Sequence, residues 1–262
     1  MSQILAIAGT TLGEAIRRRV LLIILMVGLA FLIIAPSLSQ LTPRGQTDVL
    51  TSMTLGILKI TAAILAVTLT VYLLPNEVER RTIYTILSKP VQRWQFLLGK
   101  YLGSVAALAL MIGLMAIVLI IAFVLQQGSV SLASLDPLIK APIMLIFQMS
   151  LLAAVAMFFS TFVSPVVNFF LTALVYVFGT LLNPFFESVT TKQNTESVNF
   201  FASIAHYAFP NFSNLDIKTG AEMEQQIRGS ETVYMMNGVI YALVYCAILV
   251  TLAVLVFDRR EL

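Results

Sequence analysis

The chain has 262 residues, 59% of them hydrophobic and 11% charged, with a formal net charge of +3 and a mean hydropathy of +0.93. Soluble domains carry about 25% charged residues, so this composition excludes a free soluble domain and points to an integral, all-α membrane protein. The single cysteine, Cys246, excludes a disulfide framework and a paired thiolate metal site; inside an apolar run it reads as a small buried hydrophobe.

Residues 1–19 are too polar to span a bilayer. Ile4, Ala8, Leu12, Ala15 and Ile16 recur at helical spacing, with Gln3, Thr11 and Glu14 elsewhere on the wheel. That pattern suits an amphipathic helix lying in the membrane interface, with a frayed polar terminus as the plainer alternative. A basic stretch ahead of an apolar one also resembles a cleaved signal, but the segment is expected to be retained.

A bilayer core about 30 Å thick takes roughly 20 apolar helical residues to cross, and six spans are expected within a single domain over 20–262. The first, about 20–36, follows Arg17-Arg18-Arg19, and the second, about 51–75, ends at Leu74-Pro75. The third, about 96–125, is long enough to protrude. Asp136-Pro137 is expected to cap and open the fourth, about 137–162, and Ser164-Pro165 the fifth, about 165–183. An external segment of about 184–232 precedes the sixth span, about 233–257. Within it, "VNFFASIAHYAF" (198–209) is apolar enough to lie against the membrane, whereas 210–231 is soluble in character.

Lys and Arg concentrate on the cytoplasmic side of membrane proteins. With the N-terminus inside, ten of the sixteen basic residues are cytoplasmic: Arg17, Arg18, Arg19, Arg80, Arg81, Lys89, Arg93, Lys100, Arg259 and Arg260. Eight of the thirteen acidic residues fall outside. Both termini are therefore expected in the cytoplasm.

Much chemistry is missing. Gly99-Lys100 is followed by Tyr101, so it is no phosphate-binding loop. His206 is the only histidine, without partners for catalysis or for a metal. "EVERR" lacks the adjacent glutamate pair and the intramembrane histidines of a CAAX-type protease. No catalytic residue, metal or nucleic-acid partner is expected. Lys59 is the one ionisable side chain in the six span cores. It either snorkels outward or pairs at the interface, or it makes a substrate or external gate contact. With neither an ATPase motif nor a proton relay, the chain has no energy source of its own. Thr61, Thr68, Gln148, Asn168 and Asn237 are scattered polar candidates for a lining that is otherwise apolar.

The densest charge lies in "NEVERRTIYTILSKPVQRWQFLLGKYLG", residues 76–103. Asn76 suits an N-cap, with Glu77 and Glu79 in the first turn. Ile83, Ile86 and Leu87 form an apolar stripe, and Ser88-Lys89-Pro90 stops the helix. Gly99-x-x-x-Gly103 offers a close-packing face. Such a short amphipathic helix between two spans suits the receipt of a push from a cytoplasmic motor; an ordinary basic loop is the plain alternative.

In order and spacing this stretch resembles the signature of the type-2 permeases of ATP-binding-cassette transporters, at Glu77, Glu79, Arg81, Thr82, Leu87, Ser88, Pro90, Val91, Arg93, Gly99 and Lys100. The Arg-Thr-Ile version is similar to the branch labelled as multicopper-enzyme-maturation permeases. The resemblance implies a six-span half-transporter in the bacterial plasma membrane that pairs with itself or a close relative. It implies a separate cytoplasmic ATPase, which holds the ATP and Mg. It makes residues 77–90 the coupling helix, with Glu77, Glu79, Arg80, Arg81, Thr82, Ile83, Ile86, Leu87, Pro90 and Arg93 as its contact residues. The tight turn at 161–164 becomes a second cytoplasmic contact, and the direction is export. A non-transporting membrane scaffold on the same fold is the alternative, and an ATP-independent channel a more distant one. The family supplies no role for 210–231.

Overall fold

The structure, a computed structural model, describes residues 2–39, 46–71, 92–127, 132–182, 210–216 and 231–259. Among them every regular element is helical: α1 (Ser2–Arg17), α2 (Arg19–Ser39), α3 (Gln46–Val71), α4 (Arg93–Gln127), α5 (Leu132–Ser160), α6 (Pro165–Val177) and α7 (Glu231–Asp258). One π-helical turn, Phe178–Leu182, continues α6, and a 3-10 turn, Ser213–Leu215, stands alone. The Leu-, Ile- and Ala-rich runs favour helix. In lipid they require it, because a helix satisfies its backbone polar groups within the segment.

Four of the described helices are individually long and apolar enough to cross a bilayer: α3, α4, α5 and α7. The pair α1 and α2, bent by 63° at Arg18, reaches that measure as a unit, and Pro165–Leu181 is a shorter apolar helix. Length and composition thus give four candidate spans, or five with the bent pair. At 1.5 Å per residue the 35 residues of α4 extend about 52 Å, well beyond the hydrocarbon core. Apolar residues such as Val27, Phe31, Ile117, Phe170, Leu243 and Leu255 point outward. A soluble protein would not display such a belt of long apolar helices.

Helix α5 is the hub. It packs against α3, α4, α6 and α7, and Leu151, Leu152, Ala153, Ala154, Val155, Ala156 and Met157 are all buried. Small residues there and on α3 (Ala62, Ala63, Ala66) let the backbones approach. Helix α5 also starts earlier than its sequence signal. It begins at Leu132 with Pro137 and Pro142 inside it, so Asp136 is not its cap; the carboxylate pairs instead with Lys140, one turn on. By contrast, Ser164 does precede α6 in extended conformation with Pro165 at the first helical position, although its hydroxyl makes no cap bond.

Helix α1 lies across α4. Gly99 and Gly103 form the seat: a Cβ on Gly99 would stand 2.9 Å from Ile7, and one on Gly103 2.6 Å from the Thr11 Cβ and 2.7 Å from the Ala8 carbonyl oxygen. Thr11 and Ala15 are buried in this contact, whereas Leu5 and Ile16 stay exposed. The buried face therefore keeps most of the apolar stripe: Ala15 is buried, Ile4, Ala8 and Leu12 are half-buried, and Ile16 alone of the five is exposed. Thr11 joins this face because the Ile7 carbonyl accepts from its hydroxyl at 2.8 Å.

Candidate functional site

Polar side chains gather at two places in the bundle. The first is the start of α4. Of the residues expected to contact a motor, Glu77, Glu79, Arg80, Arg81, Thr82, Ile83, Ile86, Leu87 and Pro90 lie outside the described residues; Arg93 lies within them, as the first residue of α4. Its guanidinium Nη1 donates to the carbonyl oxygens of Asp258, at 3.2 Å, and Phe257, at 3.5 Å. The last carbonyls of a helix have no intrahelical donor, and a cation there meets the negative end of the dipole. Arg93 thus clamps the end of α7 to the start of α4.

The same end of α4 holds α1. Lys100, only 4% exposed, reaches Glu14 at 3.8 Å, and Arg18 donates to the other carboxylate oxygen at 2.7 Å. Beneath this layer Phe96, Leu97, Met157, Ala253 and Phe257 form a small apolar cluster against which Ile7 packs. The first turns of α4, the last turn of α7 and all of α1 therefore form one packed block that begins three residues after Pro90.

The second place is centred on residues 210–216, which enter the bundle. Phe212 is fully buried, edge-on to the Tyr176 ring at 5.4 Å. Its carbonyl accepts from the Gln148 amide at 3.0 Å and its N–H donates to the Gly179 carbonyl at 3.2 Å. The Asn211 N–H donates to the Tyr241 hydroxyl at 2.8 Å. The Asn211 side chain accepts from both the N–H and the hydroxyl of Ser213, at 3.0 and 2.6 Å. At the far end of the segment the Asp216 carboxylate pairs with the Lys59 ammonium of α3, and the Tyr234 hydroxyl donates to the Asp216 carbonyl at 3.4 Å.

The chemistry of depth explains this density of bonds. Gln148 stands twelve residues along the span that starts at Asp136, about 18 Å in at 1.5 Å per residue. Irregular backbone at that depth is tolerated only where protein satisfies its polar groups, and α5, α7 and the π turn do so here. Two glycines make room. A Cβ on Gly179 would stand 2.4 Å from the Pro210 oxygen and 2.5 Å from the Phe212 ring, and one on Gly238 3.2 Å from the Asn214 oxygen. The π turn that carries Gly179 is of a kind found often at functional sites.

Three of the scattered polar candidates are therefore already committed within the chain. Gln148 holds Phe212, Asn168 donates to the Ala156 carbonyl at 3.0 Å and accepts from Thr172 at 2.9 Å, and Thr61 donates back to Ile57. Residues 210–216, expected to be soluble in character, are largely buried instead, because their polar groups find partners at depth. Gln148 and Lys59, polar groups inside apolar spans, were the available signal. Cys246 is buried beside the Ser150 hydroxyl at 3.9 Å. Residues 198–209, including His206, lie outside the described residues. Among the described residues no group of His, Cys, Asp or Glu is placed to hold a metal ion.

Comparison with known proteins agrees with these long apolar helices. The profile of the ABC-2 family transporter protein matches residues 5–262. No curated protein matches the chain. The match covers almost the whole sequence, including the block at Arg93 and the buried 210–216 segment. The chain is a multi-pass membrane protein that belongs to the ABC-2 transporter family.

Proposed function

We propose that this chain is the permease subunit of an ATP-driven exporter in the bacterial plasma membrane, resembling the multicopper-enzyme-maturation branch. The family's membrane subunits are generally non-catalytic, with the ATPase on a separate subunit. ATP and Mg would be held by that partner and none by this chain. Two permease copies, or this chain and a close relative, would form the pathway between them within the lipid bilayer. Six spans with both termini cytoplasmic fit the chain: α2 crosses alone, α1 lies in the interface, and α6 with its π turn supplies the fifth. The clustering of Lys and Arg then puts Arg93 on the cytoplasmic face and residues 210–216 in the outer half.

The family match over residues 5–262 carries this proposal. The clamp from Arg93 to the end of α7 supports its mechanical part. ATP binding would close two motor subunits against residues 77–90, and the block of α1, α4 and α7 that begins at Arg93 would carry the displacement into the bundle. Arg93 would act as a transmitting residue beside the motor contacts of Glu77 to Pro90.

The test is copurification of the full chain with a candidate ATPase subunit and assay of nucleotide hydrolysis by the complex. The Ile83→Asp/Leu87→Asp double variant is expected to lose the ATPase and keep its membrane insertion. Normal pairing by that variant overturns the coupling assignment. Copurification with a client that is not an ATPase, without any nucleotide response, favours a scaffold.

A further inference from the structure

From the setting of residues 210–216 we infer that this segment is a releasable plug in the outer half of the bundle, and that the Lys59–Asp216 ion pair is its latch. The inference rests on the permease proposal for its sidedness and gives a role to a segment that the family leaves without one.

The segment's bonds differ in kind. Those of Asn211 and Phe212 satisfy backbone groups and are supplied by Tyr241, Gly179 and Gln148. They are the bonds that any irregular backbone needs at this depth. The Lys59–Asp216 pair joins two full charges 157 positions apart, at the last described residue of the segment. Neither partner is sealed off: their side chains are 21% and 28% exposed. A charge pair that keeps access to water separates at a small desolvation cost, whereas a fully buried pair holds its partners tightly. The latch is thus placed where it can open first.

The seat under the plug is close-fitting. Met144 and Gly238 line it on α5 and α7: a Cβ on Gly238 would meet the Met144 methyl at 2.9 Å, the Asn214 oxygen at 3.2 Å and Leu215 at 3.4 Å. Five helix-borne groups that grip the plug belong to four elements: Lys59 on α3, Gln148 on α5, Gly179 on the π turn, and Tyr234 and Tyr241 on α7. Any motion that separates these elements pulls the grips apart together. The plug therefore reports on the relative positions of the helices, as a gate must.

The experiment uses the full chain with Cys246→Ser and one reporter, Met144→Cys in the seat or Leu215→Cys on the plug, both now buried. A membrane-impermeant maleimide is applied to intact cells. Lys59→Ala and Asp216→Ala are each expected to raise labelling about fivefold, the scale of losing one partly exposed pair. The reversed pair Lys59→Asp/Asp216→Lys is expected to return labelling to the parent level. Unchanged labelling in both single variants overturns the latch. So does a rise that the reversed pair fails to correct, since that is loss of structure, and so does labelling reached only from the cytoplasmic side. A further arm traps the ATPase complex with vanadate, which is expected to raise labelling of the parent reporter. If the single variants respond and trapping does not, the latch stands and the ATP-driven proposal falls.

Discussion

The amide of Gln148 and the carbonyl of Phe212, 64 positions apart in sequence, meet at 3.0 Å inside the bundle, with both residues fully buried. Replacing Gln148 by leucine keeps the volume and leaves that carbonyl without a donor. An orphaned buried polar group costs about 1–3 kcal/mol. The change also removes the buried Gln148 Oε1, which meets no partner among the described residues, so the net loss lies towards the lower end of what one orphan costs. The melting temperature of the detergent-purified protein is expected to fall by a few degrees, read by loss of the monodisperse peak after heating.

Gly179 tests the same seat from the other side. A methyl there would meet the Pro210 oxygen and the Phe212 ring at 2.4 and 2.5 Å, distances that require the segment to shift. Gly179→Ala is expected to destabilise the protein by about 1–3 kcal/mol, the usual range for overpacking. Gly113→Ala, in a helix interior where the added carbon meets nothing within 4 Å, is expected to keep stability or raise it by up to about 1 kcal/mol. Equal melting temperatures for the two variants would contradict the close approach.

Much of the architecture was readable because lipid leaves few choices. Long apolar runs become helices, and the serine-proline pair at 164–165 marked where α6 begins. The Gly99-x-x-x-Gly103 spacing marked the seat of α1. Buried polar contacts were not readable, since they depend on which helices become neighbours. Asn211, Ser213 and Asp216 carry the composition of a wet loop, and only the placement of Gln148, Tyr241 and Lys59 makes their burial tolerable. Proline gave a false start at Asp136-Pro137, since α5 begins at Leu132 and carries Pro137 and Pro142 within it. For the candidate site, the sequence singled out Arg93, but not the clamp that Arg93 makes on α7; the other residues proposed to meet a motor lie outside the described residues.

That clamp predicts a local loss. Arg93→Ala removes the donor to the Phe257 and Asp258 carbonyls, and the last turn of α7 is expected to fray. Amide hydrogen exchange over residues 254–259 should quicken about fivefold, as befits roughly 1 kcal/mol at a half-exposed site. Arg93→Lys should recover only part of the protection, because an ammonium lacks the guanidinium fork. Unchanged exchange in the alanine variant would remove Arg93 from the path proposed between residues 77–90 and α7.

The seat of α1 on α4 is a backbone contact and so has little room to adjust. A side chain at Gly103 runs into the Ala8 carbonyl and Thr11. Gly103→Leu is expected to lift α1 and loosen the backbone at the Arg17-Arg18-Arg19 elbow, where Arg17 and Arg19 are already exposed, so that trypsin added to permeabilised membranes cuts there several times faster. Protection identical to that of the parent would show that α1 is held by Lys100 and Glu14 alone.

Helix α6 is the shortest of the described α-helices, with 13 residues before its π turn, and a polar tie at Asn168 joins it to the hub. Asn168, fully buried, donates to Ala156 on α5 and accepts from Thr172 within its own helix. Asn168→Leu removes the donor and leaves the Ala156 carbonyl to its helical bond, a loss of about 0.6–2 kcal/mol on the scale of polar contacts between membrane helices. Asn168→Asp has a different effect. It offers the Ala156 oxygen a carboxylate in place of a donor, and the site must then either bury a charge or take up a proton. The aspartate variant is therefore expected to fall further in melting temperature than the leucine variant, and to recover towards it as pH is lowered and the carboxyl is protonated. If the two variants melt together at neutral pH, Asn168 faces a wetter surface than the contact with Ala156 implies.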